Sequence, residues 1–144
     1  MQLVRFFARP EPSTARSAAL LVLRVVCGLA FMHHGFTKIQ NPFRWMGPTS
    51  SMPGFLQALA AVSEFGGGLG WILGLLVPLA SLGILSTMIV ALSKHLSHGD
   101  HFVAKGGPAY ELALVYAAIA VLLFTVGPGK FSLDALWTRR STTD

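Results

Sequence analysis

Between Phe65 and Ser93 the chain carries no charged side chain, a run of 29 residues. As one helix that run would rise about 44 Å, whereas the hydrocarbon core of a bilayer is about 30 Å thick. It therefore predicts two membrane-crossing segments with a hairpin at Val77-Pro78, where proline interrupts helical continuity. Just before and within the run, Ser63-Glu64-Phe65-Gly66-Gly67-Gly68-Leu69-Gly70-Trp71-Ile72-Leu73-Gly74 combines a carboxylate with closely spaced glycines. Such glycines weaken a helix in water by about 1 kcal/mol each, but in a bilayer they let neighbouring helices approach closely. Gly66, Gly70 and Gly74 recur every fourth residue and are expected to form one packing groove. At about 100° per residue, Glu64 points away from it and leaves a separate face for chemistry.

The whole chain has the composition of a membrane protein. Of its 144 residues 53% are hydrophobic and 12% charged, with a mean hydropathy of +0.60; a soluble domain carries about 25% charged residues. The net charge is +5 and the pI near 10, but the basic residues flank apolar spans, which points to anchoring rather than to nucleic acid. There is no nucleic-acid motif, internal repeat, phosphate loop, dinucleotide fingerprint or nucleophile elbow. Cys27 is the single cysteine, which excludes an intramolecular disulfide or a Cys-x-x-Cys redox pair and suits a small packing residue.

The fold class expected is all-α, an integral membrane four-helix transmembrane bundle. Spans fall at 15–39, 54–76, 79–96 and 109–126, with Ser13 or Thr14 capping the first. The loop 43–53 is rich in proline, glycine and serine, with Trp45 placed for the interface. Gly127-Pro128-Gly129 stops the last span, and the stretch from Lys130 to Trp137 reads as an amphipathic surface tail. Residues 1–16 form a cytoplasmic N-terminal segment, 17–137 the transmembrane domain and 138–144 a C-terminal tail. Arg5, Arg9 and Arg16 precede the first span like a signal peptide's charged region, but no small-x-small cleavage site follows cleanly, so the span is read as uncleaved. Six basic residues near the termini against four in the opposite loops place both termini in the cytoplasm.

Arg24 is the sharpest anomaly, because an arginine within a span costs about 2.5 to 3.5 kcal/mol and needs a partner or water. It shares a narrow helical face with Gly28, Phe31, Gly35 and Lys38, with His34 at its edge. Either it snorkels to the headgroups, or it pairs with Glu64, its natural counter-ion, in a bidentate contact. Such a pair either locks two helices in register or relays protons beside a polar ligand. At the far end of the spans lie His33, His34, Lys38, His95, His98, Asp100, His101 and Glu111. Their spacing fits no strict metal motif, and no metal site is assigned. Glu111 is expected either to pair with Lys38, Lys94 or Lys105 or to complement the start of the last helix. Together His34, Lys38, His95, His98 and Glu111 are expected to line one water-accessible ligand pocket that narrows inward to Glu64 and Arg24. Phe31, Phe65 and Tyr110 would suit a flat ring there.

Four islands add a resemblance. They are Arg24-x3-Gly28-x6-Gly35-x2-Lys38; Glu64-x2-Gly67-Gly68-x5-Gly74; His98-Gly99-Asp100-His101-Phe102; and Gly107-x2-Tyr110-Glu111 with Gly127-Pro128-Gly129-Lys130-Phe131-Ser132-Leu133-Asp134. In order and spacing the chain resembles the DoxX family over about 17–136. The resemblance implies a four-helix bundle in a prokaryotic cytoplasmic (inner) membrane, similar to the DoxD subunit of thiosulfate:quinone oxidoreductase, and an association with redox systems. It implies quinone contact at Arg24, Lys38, Glu64, His98 and Glu111, but supplies no catalytic mechanism. The first functional reading is a small membrane subunit of a redox system that binds quinone or a small anion. A non-enzymatic scaffold that docks itself or a partner through glycine faces, and a minimal oligomeric transporter, stand beside it.

Overall fold

A computed structural model describes residues 13–140. Its elements are α1 (Thr14–Gln40), α2 (Gly54–Leu73), α3 (Val77–His98), α4 (Glu111–Val126) and a short α5 (Leu133–Arg140). The described residues contain no strand, only an isolated bridge between His101 and Ala109. Most of the proposed N-terminal segment and residues 141–144 lie outside the described residues.

Three of the helices, α1, α2 and α3, are long and apolar enough to cross a membrane. The fourth expected span is shorter than foreseen. Ala109 and Tyr110 belong to the preceding loop, where Tyr110 N–H donates to His101 O at 3.2 Å and Glu111 N–H to Phe102 O at 3.0 Å. That leaves α4 with 16 residues, about 24 Å of rise.

Local chemistry explains each boundary. Ser13 caps α1, its Oγ accepting from Arg16 N–H at 3.3 Å. α2 ends at Gly74, in the left-handed region at φ 66, and Leu75 N–H reaches back to Gly70 O at 2.9 Å to close a Schellman turn. Leu76 follows at φ 49, a conformation that costs a non-glycine residue about 1 to 2 kcal/mol. The hairpin expected at Val77-Pro78 is thus made one turn earlier, and the proline sits in the first turn of α3, where its missing N–H costs nothing.

The interior is built from all four long helices: Leu20, Cys27 and Phe31 of α1, Trp71 of α2, Val77 and Ile84 of α3, and Ala120 and Leu123 of α4. Phe31 meets Trp71 edge-on at 5.5 Å between centroids and Tyr116 at 4.8 Å. Trp71 Nε1–H donates to Ser81 Oγ at 2.9 Å, so its one polar atom is satisfied inside. The surface has the opposite character. Val22, Phe55, Leu59 and Leu79 are each at least 60% exposed, while Ser17, Arg24, Gln57, Glu64 and Ser81 are buried. A wall so apolar is stable only in an apolar solvent.

The packing glycines are not the set read from the four-residue spacing. Gly68 lies against α1, where an added Cβ would come within 2.7 Å of Gly28 O and 2.8 Å of Met32 N. Gly28 and Gly35 answer it from α1: added Cβ atoms would approach Gly68 O at 2.6 Å and Phe65 N at 2.5 Å. Gly67 faces Ile84 of α3, and Gly70 faces Leu75 O and Ala80. Gly66 is exposed, with only Val62 Cγ1 near, at 3.8 Å. Gly66, Gly70 and Gly74 therefore do not form one packing face, because α2 is clasped from two sides by neighbours about 100° apart. Gly68→Leu is expected to lower the melting temperature in detergent by an amount equivalent to about 1 to 3 kcal/mol. Gly66→Ala should leave it unchanged or raise it through better helix propensity. Equal effects at the two positions would contradict this packing.

Candidate functional site

The close contact of α1 and α2 sets the level at which each charge meets its partner. Gly35 of α1 lies against Phe65, so Glu64 stands beside the C-terminal turns of α1. Lys38 Nζ donates to both Glu64 oxygens, at 2.7 and 2.6 Å. The Glu64 side chain is only 7% exposed, and that of Lys38 24%. Trp45, from the loop after α1, covers the ammonium with its ring at 4.6 Å from the centroid. The loop is itself anchored: Trp45 Nε1–H donates to Gln57 O at 2.8 Å, and the Gln57 amide bonds Met46 N–H and Met52 O. A charge-assisted pair with a cation–π lid satisfies both ions with little water.

Arg24 does not pair with Glu64, contrary to the sequence expectation. Gly74, which lies level with Arg24, is ten residues beyond Glu64 on α2, about 15 Å along the axis. Arg24 is fully buried, and its Nη2 donates to Phe131 O in the segment after α4. An added Cβ at Gly74 would overlap Arg24 Nη1, which makes glycine obligatory there for space as well as for its positive φ. Nε and Nη1 have no hydrogen-bond partner among the described residues. The carboxylate whose charge acts on Arg24 is Asp134. Its oxygens accept from Leu76 and Val77 N–H at 2.8 and 2.9 Å, capping α3 from 57 and 58 residues away in sequence. Asp134 N–H donates to Gly74 O at 2.9 Å, and Lys130 N–H to Ser17 Oγ at 3.2 Å. The segment 127–136 is thus a clasp across the Arg24 end of the helices rather than a free tail.

The other expected site residues form no bond to the Lys38–Glu64 pair among the described residues. His34 is exposed on α1, and His98 is exposed as the last residue of α3. Glu111 is half-buried in the first turn of α4, with no ion pair among the described residues, a position that suits the helix dipole. His95 Nδ1 and Asp100 Oδ2 lie 2.6 Å apart and close the end of α3. Among the described residues no three histidine, cysteine, aspartate or glutamate side chains gather as a metal site. Phe31 is in the core, Phe65 meets Phe36, and Tyr110 meets Phe102, so the aromatics do not line one cavity. The structure brings together Lys38 and Glu64 and holds Arg24 at another level, while His34, one turn before Lys38 on α1, and His98 and Glu111 make no hydrogen bond or ion pair with them among the described residues. Sequence reasoning missed Gln57, although an amide within an apolar span was a signal, and the capping role of Asp134, which only the folded-back segment creates.

A helical protein with an apolar exterior and ions bound between its helices is a multi-pass membrane protein. The sequence pattern of the DoxX family matches residues 19–98, more than half of the chain, and the chain belongs to that family. Inner membrane protein YqjF of Escherichia coli (strain K12) is 28% identical over 127 residues, covering 84% of this chain and 93% of that protein. No solved structure matches.

The two charge sites should behave independently. Lys38→Met alone leaves a buried carboxylate unpaired, an expected loss of about 3 to 5 kcal/mol, and Lys38→Met with Glu64→Met should be milder than either single change. Arg24→Met and Glu64→Gln, 15 Å apart in level, should be additive within about 0.5 kcal/mol in a cycle read by thermal unfolding. Coupling between Arg24 and Glu64 would restore the rejected pairing. Asp134→Ala should lower stability by about 0.5 to 2 kcal/mol through loss of the α3 cap.

Proposed function

We propose that this DoxX-family protein is a non-enzymatic membrane subunit, a four-helix transmembrane bundle with α4 as its short fourth span, whose task is to support a partner in the membrane. The observation that carries this reading is the use of its intramembrane charges. Lys38 and Glu64 are bound to each other, and Arg24 is bound to the clasp, so the ions tie elements together. Intramembrane ionisable groups with no structural partner would favour chemistry; here Lys38 and Glu64 hold each other and Arg24 holds Phe131 O. The inner-membrane name of YqjF supports the same membrane as the location, and the balance of basic residues supports cytoplasmic termini.

The second reading is the redox-linked one, favoured by a single feature: the Lys38–Glu64 pair under Trp45 is a place where a quinone oxygen or small anion would take Lys38 in exchange for Glu64. On that reading Lys38 and Glu64 are the ligand contacts, His34 lies nearest in sequence, and Arg24, His98 and Glu111 act elsewhere.

One preparation separates the readings. Protein purified from native membranes in mild detergent is extracted and its quinone content measured, alongside the Lys38→Met/Glu64→Met double variant. On the scaffold reading quinone is well below one per chain in both, and proteins that co-purify with the wild type remain with the variant. One quinone per chain, lost in the variant, would establish the redox-linked reading instead.

A further inference from the structure

A furrow of about 820 Å³ runs down the outside of the protein between α2 and α3. Its floor is made by small residues, among them Ala60, Gly67, Gly70, Ala80 and Gly83, which let the two helices meet deep and leave the gap above them open. It extends from Leu79 to Lys94 on α3, 15 residues or about 22 Å of rise. One leaflet of a bilayer is about 15 Å of hydrocarbon, so the furrow accommodates an extended acyl chain along its length.

The polar atoms that line it specify the occupant. Gln57 is satisfied by Met46 N–H and Met52 O, and Trp45 Nε1–H by Gln57 O. Ser86 and Thr87 donate to Leu82 O and Ile84 O of their own helix, at 2.9 and 2.8 Å. These groups ask nothing of a ligand; Ser63, whose Oγ packs against Gly83 and makes no hydrogen bond among the described residues, is the one remaining polar side chain in an otherwise apolar body that suits hydrocarbon. One charged residue lines it, Lys94, exposed at the end shared with Trp45 and in no ion pair among the described residues. A long apolar trough with an unpaired cation and an interfacial aromatic at one end matches an acyl chain joined to an anionic headgroup. A second copy docked here about an axis along the membrane normal would bring two Lys94 ammoniums to one depth, and among the described residues no carboxylate lines the furrow to relieve them.

We propose that the α2–α3 furrow is a binding site for one anionic phospholipid, its chain along the glycine floor and its phosphate at Lys94. The site adjoins the Lys38–Glu64 pair through Trp45, which lines the furrow on one side and covers Lys38 on the other, but its headgroup contact is Lys94, so it does not rest on the function proposed above.

The test uses the full chain reconstituted in bilayers of equal phosphatidylglycerol and phosphatidylcholine, extracted in mild detergent, with retained lipid counted by native mass spectrometry. The wild type should retain one phosphatidylglycerol in preference to phosphatidylcholine. Lys94→Ala should reduce that preference about fivefold, the equivalent of about 1 kcal/mol for one cation at a membrane surface. Gly66→Leu, at a position with open space, and Ser86→Leu, on the opposite wall, fill the furrow from either side and should each abolish retention. Two fillers keep the test decisive if one variant is poorly folded. Retention unchanged in both fillers, no preference between the two lipids, or isoprenoid quinone retained in place of phospholipid would each overturn the proposal. So would a disulfide between two copies carrying Val62→Cys, which would show that protein covers the furrow.

Discussion

The structure depends on the backbone approach of α1 and α2 at Gly28 and Gly68. Each glycine lies where the other's helix leaves no room for a methyl group, the Cβ positions falling 2.6 and 2.7 Å from the opposing carbonyl oxygens. Among lipid chains as apolar as leucine, burial of hydrophobic surface does not drive helices together. Close contact and hydrogen bonding do. The interlock also fixes register, because sliding one helix by a residue would put a side chain into a space that only a hydrogen fills. Which charge meets which partner follows from that register.

Once α1 and α2 are set, the charges divide between the two ends. Glu64 is brought to Lys38, and Arg24 is brought under Gly74, where the segment after α4 supplies its acceptor. Each arrangement joins parts of the chain distant in sequence. The Lys38–Glu64 pair ties α1 to α2, and Trp45 draws the intervening loop over the same spot. At the other end Asp134 caps α3 while its own N–H is held by Gly74 O, so one residue fastens both limbs of the α2–α3 hairpin. The strained Leu76 sits in that turn, with its N–H on Asp134, a bond that helps offset the cost of its positive φ.

The glycines serve two different purposes on adjoining faces of α2. Gly68 admits α1 directly, whereas Gly67 and Gly70 admit α3 deeply enough to leave a furrow above them. A membrane protein this small thereby combines a tightly closed side, carrying the ions, with an open apolar side that faces the bilayer. The apolar exterior and the polar residues held inside are two aspects of one solvent constraint.

The amino-acid sequence by itself determined the class of fold. The uncharged run of 65–93 needs a bilayer and a hairpin, and the ends of α1, α2 and α3 fall within three residues of where apolar length and proline place them. The family was legible too, because its islands are strings of residues that do not need folding to be seen. The partners of the charges were not legible. Periodicity shows that Arg24 and Lys38 share one face of α1, but two antiparallel helices can slide, and only the Gly28–Gly68 contact decides that Glu64 stops beside Lys38. The role of Asp134 was hidden for a related reason: a cap supplied 57 residues away depends on a segment folding back, and nothing local announces it. Helical period and hydropathy are properties of one segment at a time. Register and closure belong to pairs of segments, and they exist only once side chains from both have excluded every other fit.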